Sequence, residues 1–202
     1  MKIIVVGATG VIGRAVSTAL SQHHEVIRVA RSGADIMADV TSTESIRTLF
    51  RTVGPFDALV SAVGAGGIGE LVSVDEEAFN LGWRTKVIPQ VNLVLYGLHH
   101  VKDSGSFTLS SGVLSKRPMR GFSAVAATNG AIDAFCKAAA LEMPRAIRIN
   151  CVSPVFVTES MHAAGLTNTS GYVTQSAADT AKAYVAAIMG DMQGQDIDPI
   201  RI

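Results

Sequence analysis

The sequence has no excess of charge of either sign, no long apolar run and only two cysteines. Its 202 residues include 17 Lys and Arg and 17 Asp and Glu, so the formal net charge is zero. A balanced surface of this kind offers no broad basic face, which disfavours nucleic acid and anionic membranes as partners. No stretch approaches the roughly 20 apolar residues that a membrane-spanning helix needs. We therefore predict a cytoplasmic protein that binds neither nucleic acid nor membranes.

Two further absences concern targeting and metals. The opening stretch, MKIIVVGATG, has too short an apolar run before Gly7 for the core of a secretory signal peptide. Cys136 and Cys151 fall in separate predicted elements without the spacing of metal ligands, which predicts reduced, buried thiols and no metal site. No internal repeat, low-complexity tract or linker divides the chain. We predict one domain over residues 1–202.

Short apolar, β-branched runs alternate along the chain with longer helical patterns. Strands are predicted at 2–6, 25–30, 57–63, 105–111 and 147–153, with short segments at 34–40 and 195–200. Helices are predicted at 10–21, from about 42–45 onward, and at 74–101, 122–142 and 174–190. Strands that are apolar on both faces and separated by helices indicate a parallel sheet covered on both sides. The predicted fold is a three-layered, doubly wound α/β sheet of the Rossmann type.

Three glycines follow the first predicted strand and open the first predicted helix, in the stretch VVGATGVIGRA. This is the setting of a dinucleotide-binding turn, in which glycine permits a tight bend, approach of a pyrophosphate and close packing of helix on strand. Free amide groups and the positive helix end attract the phosphates. The alternative is a tight strand–helix turn without a ligand. The residues predicted to contact the dinucleotide in this loop are Gly7, Thr9, Gly10, Val11, Ile12 and Gly13.

The end of the second strand indicates which dinucleotide is bound. Proteins that bind NAD usually place an acidic residue there for the ribose hydroxyls, but this chain has Ala30, followed by Arg31 and Ser32. A guanidinium pairs with the 2′-phosphate that a carboxylate would repel. We predict NADP(H) rather than NAD(H); the alternative is that Arg31 is a solvated surface charge. Asp39 and Val40 follow the third strand and are predicted to bind the adenine edge; the alternative is a plain turn Asp.

These features together resemble the short-chain dehydrogenase/reductase family over nearly the whole chain. The matching stretches are GATGVIG near the start, DV at 39–40, DALVSAVG at 57–64, VNLV at 91–94, FTLSSG at 107–112 and IRINCVSP at 147–154. The resemblance implies that Pro154 and Thr158 lie beside the nicotinamide, although Val155 replaces a family glycine.

The loop after the fourth strand departs from the family pattern. The family has Asn-Asn-Ala-Gly there, and this chain has Ser61, Ala62, Val63 and Gly64. The resemblance still implies that Ala62, Val63 and Gly64 line the cofactor. The middle glycine of the first loop also stands one place earlier than in most of the family.

The resemblance further implies a catalytic set of Asn, Ser, Tyr and Lys. The family Tyr is the acid, and the Lys binds the nicotinamide ribose and lowers the pKa of the Tyr. Ser111, with Ser110 beside it, takes the place of the Ser. Val125 and Asn129 take the places of Tyr and Lys, and residues 119–144 contain no Tyr. Without its acid such a site is expected to lose a factor of roughly 10² to 10⁴ in rate unless another group substitutes.

Lys86 offers a substitute for the missing ammonium. The family Asn aligns on or beside Lys86 and the family Lys aligns with Asn129, so by this hypothesis the two residue types have exchanged places. Val125 and Asn129 are four residues apart and share one helix face, which points Asn129 at the cofactor. The alternative places Lys86 on a solvated face. His162 and Tyr172 are candidates for the proton donor, and each is otherwise an ordinary loop residue.

Two functions follow from this pattern. The first is NADP(H)-dependent hydride transfer to or from a small carbonyl or alcohol substrate, with a non-standard proton donor. The second is a catalytically weak or inactive NADP(H)-binding protein that acts as a redox sensor or scaffold. The resemblance also implies pairing of copies through long helices, and the alanine-rich stretch 122–142 favours close helix approach. We predict a homodimer or homotetramer; the alternative is a buried helix in a monomer.

Overall fold

The computed structural model describes residues 1–163, 165 and 173–202. The strands are β1 (Lys2–Val6), β2 (Glu25–Ala30), β3 (Ile36–Met37), β4 (Phe56–Ser61), β5 (Val101–Ser110), β6 (Arg148–Val152), β7 (Phe156–Val157), β8 (Thr174–Gln175) and β9 (Asp196–Ile197). The α-helices are α1 (Val11–Leu20), α2 (Thr43–Val53), α3 (Glu76–Gly82), α4 (Ile88–Gly97), α5 (Ser123–Ala140), α6 (Thr158–Ala163) and α7 (Ala177–Met189). A π-helical turn, Trp83–Val87, joins α3 to α4, and 3₁₀ turns lie at Val113–Ser115 and Pro199–Arg201.

Seven strands form one parallel sheet in the order β3-β2-β1-β4-β5-β6-β9. The order reverses between β1 and β4, so the loops after these two strands diverge and leave a crevice at the carboxyl edge of the sheet. In open α/β sheets ligands bind at such a switch point. The prediction of a doubly wound α/β fold is confirmed. A separate pair, β7 with β8, lies outside the main sheet.

The strands are apolar on both faces because each face supports a different layer of helices. In β1, Ile4 and Val6 pack with residues of α2, α4 and α5, whereas Ile3 and Val5 pack with residues of α1 and α7. Successive strand residues point to opposite faces, so one run of four apolar residues serves two cores. The buried side chain of Tyr184 lies in the second of these layers.

Element boundaries differ most from the sequence pattern at β5 and at the helix predicted over 74–101. Strand β5 begins at Val101, four residues before the predicted start, and its pairing with β4 shifts register between Phe56 and Ala58. Ser104 has a φ of 61°, so the first half of β5 is irregular and shows no alternating pattern. The long helix predicted at 74–101 is three segments, because the π-helical turn interrupts it. In the described parts of the chain, no helix is long and apolar enough to cross a membrane.

Candidate active site

The turn that contains Gly7, Gly10 and Gly13 leaves an open space that larger side chains at these positions would fill. We call this turn the glycine cradle. Gly7 has a φ of 81°, and a methyl group on it would lie 2.5 Å from the carbonyl oxygen of Ala62. A methyl group on Gly13 would lie 2.1 Å from the carbonyl oxygen of Gly7. Helix α1 begins after Gly10 without a side-chain cap, so its first amide groups keep their donors open toward the cleft. The predicted loop residues Thr9, Val11 and Ile12 lie in the same bend, and this geometry fits a pyrophosphate.

The loop after β2 lies beside this cradle. A methyl group on Gly33 would be 3.8 Å from the methyl group of Thr9, which shows how closely the two loops approach. Arg31 and Ser32 are exposed there. No carboxylate in the described part of the chain lies within ion-pair distance of Arg31, whereas Arg28 pairs with Asp35 at 2.5 Å. The Arg31 guanidinium is therefore available to an anion.

Asp39 and Val40 have other partners. The Asp39 carboxylate accepts bonds from the amide and hydroxyl of Thr41, at 3.0 and 2.8 Å. These bonds, and secondarily the charge of Arg31, lower the pKa of Asp39. Val40 is half-buried and packs against the core. The contacts of Asp39 are those of a turn residue, which was the alternative to the predicted adenine contact.

A cavity of about 390 Å³ continues the cleft toward β5 and β6. Thr158 does not line this cavity, although Val157 and Ser160 do. The residues that were predicted from the sequence and that the cavity brings together are Ile12, Ala62, Val63, Gly64, Lys86, Ser111, Asn129 and Pro154.

Lys86 lies at the centre of a hydrogen-bond network in the cavity wall. Its Nζ donates to the carbonyl oxygen of Ser111 at 2.8 Å and to Oδ1 of Asn129 at 2.5 Å. The Ser111 hydroxyl donates to the backbone carbonyl of Asn129 at 3.1 Å. Ser111 and Asn129 are buried, and Lys86 is half-buried. The structure thus brings the three predicted catalytic residues into direct contact.

Local backbone geometry places Lys86. It lies on the π-helical turn, a rare helix form that often occurs at functional sites. Its side chain passes over Gly64, where a methyl group would lie 2.6 Å from Lys86 Cβ and Cγ. A methyl group on Gly112 would similarly lie 2.6 Å from Asn129 Nδ2. Two glycines therefore leave the room that the Lys86–Asn129 pair occupies.

Burial lowers the pKa of the Lys86 ammonium to about 8. The negative charge of Asp133 opposes this shift. Asp133 is buried on α5, one turn beyond Asn129. Its oxygens accept from the Ser115 hydroxyl at 2.6 Å and from the Cys151 thiol at 3.7 Å.

Val125 lines the same cavity one turn before Asn129, as their shared helix face predicts. It packs against the loop after β4, since a methyl group on Gly66 would lie 2.6 Å from a Val125 methyl group. Of the other proton donors considered, His162 is exposed at the end of α6 and does not line the cavity. Tyr172 lies outside the described residues.

A second network, behind the cavity, was not visible in the sequence. Gln90 bonds the backbone of Ser110 twice, at 2.9 and 2.8 Å, and so continues β5 like a neighbouring strand. The Ser110 hydroxyl donates to the carbonyl of Ser61 and lies 2.6 Å from the Tyr184 hydroxyl. Because Ser110 has one proton to give, Tyr184 is the donor to Ser110. Burial raises the pKa of Tyr184, so it remains protonated.

The two cysteines are free and buried, as predicted. The Cys151 thiol and the carboxylates of Asp133 and Asp196 lie within 4.8 Å of one another. Each of these groups already has a protein partner: Asp196 pairs with Lys116 and accepts from a serine hydroxyl at 2.6 Å. A hydrogen bond with Cys136 and burial raise the pKa of Cys151, so its thiol stays neutral.

The far end of the cavity is apolar. It lies between the 3₁₀ turn after β5 and the segment that contains β7 and α6. The described side chains on this side are Val113, Leu114, Val155, Phe156, Val157 and Met161, together with the hydroxyl of Ser160.

Comparison with known proteins gives a family. A family model described as enoyl-(acyl carrier protein) reductase matches residues 7–188. L-xylulose reductase from Mesocricetus auratus is 29% identical over 187 residues, which cover 84% of this chain and 75% of that protein. L-xylulose reductase from Homo sapiens is 29% identical over 178 residues, which cover 79% of this chain and 73% of that protein.

Solved structures agree with this assignment. A protein from Listeria innocua is 37% identical and superposes with a TM-score of 0.92 over 98% of both chains. A small-chain dehydrogenase in complex with NADPH is 28% identical, with a TM-score of 0.84 over 98% of this chain and 95% of that one. The chain therefore belongs to the short-chain dehydrogenase/reductase family and is an oxidoreductase of that family.

Proposed function

We propose that the protein transfers a hydride between NADP(H) and a small carbonyl or alcohol substrate. The observation that carries this proposal is the continuity of the site. The glycine cradle, the residues Ala62 to Gly64 and the cavity around Lys86 and Ser111 form one cleft at the switch point of the sheet. The complex of a relative with NADPH supports the choice of cofactor. When bound, the nicotinamide supplies or accepts the hydride.

We assign roles to the residues of the cavity as follows. Gly7 to Gly13 hold the pyrophosphate, and Ala62, Val63 and Gly64 line the cofactor. Ser111 binds the substrate oxygen, and its hydroxyl turns to that oxygen from the Asn129 carbonyl to which it donates in this structure. Lys86 and Asn129 bind at the nicotinamide end, and they have exchanged the places that Asn and Lys hold in the family. Val125 stands where the family has its Tyr, so the proton donor of this chain is a non-standard one.

Steady-state assays test this function. NADPH consumption with a panel of aldehydes, ketones and quinones is measured beside fluorescence titration with NADPH and NADH. We expect turnover on at least one carbonyl compound and binding of NADPH in preference to NADH. Tight binding without turnover on any compound would instead support the redox sensor or scaffold. No binding of either nucleotide at millimolar concentration would contradict both functions.

The cavity favours an apolar substrate. L-xylulose reductases are among the relatives, and a sugar needs hydrogen-bond partners for every hydroxyl that it buries. The described far wall offers mainly Val113, Leu114, Phe156 and Met161, and Ser160 is its one hydroxyl. We propose a small aliphatic or aromatic carbonyl compound. In the same panel such compounds should have a higher kcat/KM than xylulose, and a higher value for xylulose would contradict this assignment.

Arg31 is expected to determine the preference for NADPH. Arg31→Ala removes a charged hydrogen-bond donor worth about 1.5–3 kcal/mol, which corresponds to a loss of NADPH affinity of about 10- to 100-fold. Binding of NADH, which has no 2′-phosphate, should change less than about threefold. Arg28→Ala is the matched control, because Arg28 lies on β2, three residues before Arg31, but pairs with Asp35. Equal effects of the two variants on NADPH binding would exclude the assigned role.

We also propose that the chain pairs with a second copy of itself through α4 and α5. Trp83, Ile88 and Leu95 are 40–51% exposed along the π-helical turn and α4, and the seven-residue spacing of Ile88 and Leu95 places these two on one face of the helix. Helix α5 presents exposed small residues, Ala127, Ala134 and Ala138, that permit close approach. Sedimentation velocity should give the mass of a dimer or tetramer, and a monomer at all concentrations would contradict the proposal.

A further inference from the structure

We propose that Lys86 is itself the general acid of the reaction and gives its proton directly to the substrate oxygen. This inference rests on the proposed function, since it assumes that a carbonyl compound is reduced in the cavity. It goes beyond the exchange of Lys and Asn, because it makes the ammonium a proton donor and not only a ligand of the cofactor.

The composition of the cavity leaves few other donors. Lys86 is the only ionisable side chain among the described residues that line it. The Ser110 and Ser111 hydroxyls donate hydrogen bonds to the carbonyls of Ser61 and Asn129, and a serine hydroxyl is too weak an acid to give its proton to a substrate near neutral pH. Tyr184 is fully buried behind Ser110.

The hydrogen bonds of Lys86 leave one donor for a ligand. An ammonium has three N–H groups. Two are directed to the carbonyl oxygen of Ser111 and to Oδ1 of Asn129. Because both partners are acceptors on buried residues, they fix the position of Nζ. The third N–H remains for an oxygen in the cavity, next to the serine proposed to bind the substrate oxygen.

The charge environment suits proton transfer near neutral pH. Burial lowers the pKa of Lys86 to about 8, and a general acid works best when its pKa is near the working pH. Asp133 on α5 and Cys151 on β6 are the ionisable groups that face Lys86. The Cys151 thiol is neutral in this range, because its hydrogen bond with Cys136 and burial raise its pKa, so Asp133 supplies the negative charge.

The step balances as an ordinary carbonyl reduction. The carbonyl carbon gains a hydride from the reduced dinucleotide, and the π electron pair moves to the oxygen. The oxygen takes a proton from Lys86 Nζ, which gives the alcohol, the oxidised dinucleotide and a neutral Lys86 amine. The amine regains its proton from water. In alcohol oxidation the same amine accepts the proton, so Lys86 is then the general base.

The pH dependence of kcat at saturating cofactor tests this role. Reduction needs the ammonium, so its rate should be constant below about pH 8 and fall above it. Oxidation needs the amine, so its rate should rise up to about pH 8 and then level.

The Lys86→Arg variant keeps a positive charge but stays protonated. It should lower kcat by about 10²- to 10⁴-fold and remove the change of kcat near pH 8. Lys137→Met, at an exposed lysine of α5, is the control and should leave the profile unchanged.

The Asp133→Asn variant distinguishes a chemical role of Lys86 from a structural one. Loss of the carboxylate charge lowers the pKa of Lys86 further, so the fall in reduction rate should move to lower pH. A purely structural contribution of Lys86 would leave this midpoint where it is. An unmoved midpoint therefore overturns the proposal.

The unliganded protein gives an independent readout. With ¹³C-labelled lysine, one Cε resonance should titrate near pH 8 and be absent from Lys86→Met. A Lys86 resonance that titrates above pH 10, or turnover that survives Lys86→Met within about threefold, overturns the assignment of the proton to Lys86.

NADPH titration and thermal unfolding check that each variant still binds the cofactor and folds. Absence of turnover in the unaltered protein would overturn the proposed function itself.

Discussion

Replacement of Gly13 by alanine is expected to lower both the stability of the protein and its affinity for NADPH. The added methyl group would lie 2.1 Å from the carbonyl oxygen of Gly7 and 2.9 Å from Cα of Ala8, both of which are backbone atoms that cannot rotate away. Helix α1 must therefore move away from β1. Overpacking of this kind costs about 1–3 kcal/mol, and each kcal/mol lowers Tm by about 2–4 °C for a chain of this size.

The affinity for NADPH should fall by about tenfold or more, because the amide groups of the turn move together with the helix. Gly10→Ala is the control within the same loop. Its methyl group would meet only the carbonyl oxygen of Gly7, at 3.2 Å, so Tm should stay close to that of the unaltered protein. The methyl group would nevertheless occupy the exposed cradle, so NADPH binding should still weaken. Calorimetric titration and thermal unfolding measure the two effects, and a Gly13→Ala protein with unchanged Tm and affinity would contradict the packing described for this turn.

The fold was predictable because its determinants are local. The run of apolar residues in β1 needs partners on both faces, and only a sheet between two helical layers provides them. The start of β5 was missed because Lys102, Asp103 and Ser104 are exposed and one of them has a positive φ, so no strand pattern marks them. Helix α2 shows the opposite case. Ser42 accepts from the amide of Ser45, and serine is a preferred residue at this position before a helix, so the sequence alone marks where α2 begins.

The site was predictable only in part, because its contacts join residues that are distant in sequence. Family resemblance indicated that Lys86, Ser111 and Asn129 belong to one site, and the structure places them in contact. No sequence pattern marks the π-helical turn that places Lys86, since helix periodicity is measured over longer windows. Gln90 was missed for a similar reason. Its role depends on the backbone of Ser110, twenty residues away, and a buried Gln in a helix gives no periodic pattern.

Gly64→Ala is expected to impair turnover through Lys86 without altering Lys86 itself. Gly64 has a φ of 134°, which L side chains rarely adopt, and its methyl group would lie 2.6 Å from Cβ and Cγ of Lys86 and 2.9 Å from Cδ. These atoms belong to the base of the side chain, so the whole side chain must swing aside. Nζ would then leave the Ser111 carbonyl and Asn129 Oδ1. If Lys86 gives the proton, kcat should fall by about 10²-fold or more.

The matched control for backbone strain is Gly54→Ala. Gly54 has a φ of 67° at the end of α2, and a methyl group there would meet no atom within 4 Å. Both variants carry the cost of a positive φ, about 1–3 kcal/mol, but only Gly64→Ala displaces Lys86. Gly54→Ala should therefore lower Tm and leave kcat unchanged, whereas Gly64→Ala should lower both. The two kcat values are measured below the unfolding temperatures of the variants. Equal values would show that turnover does not depend on the position of the Lys86 side chain over Gly64.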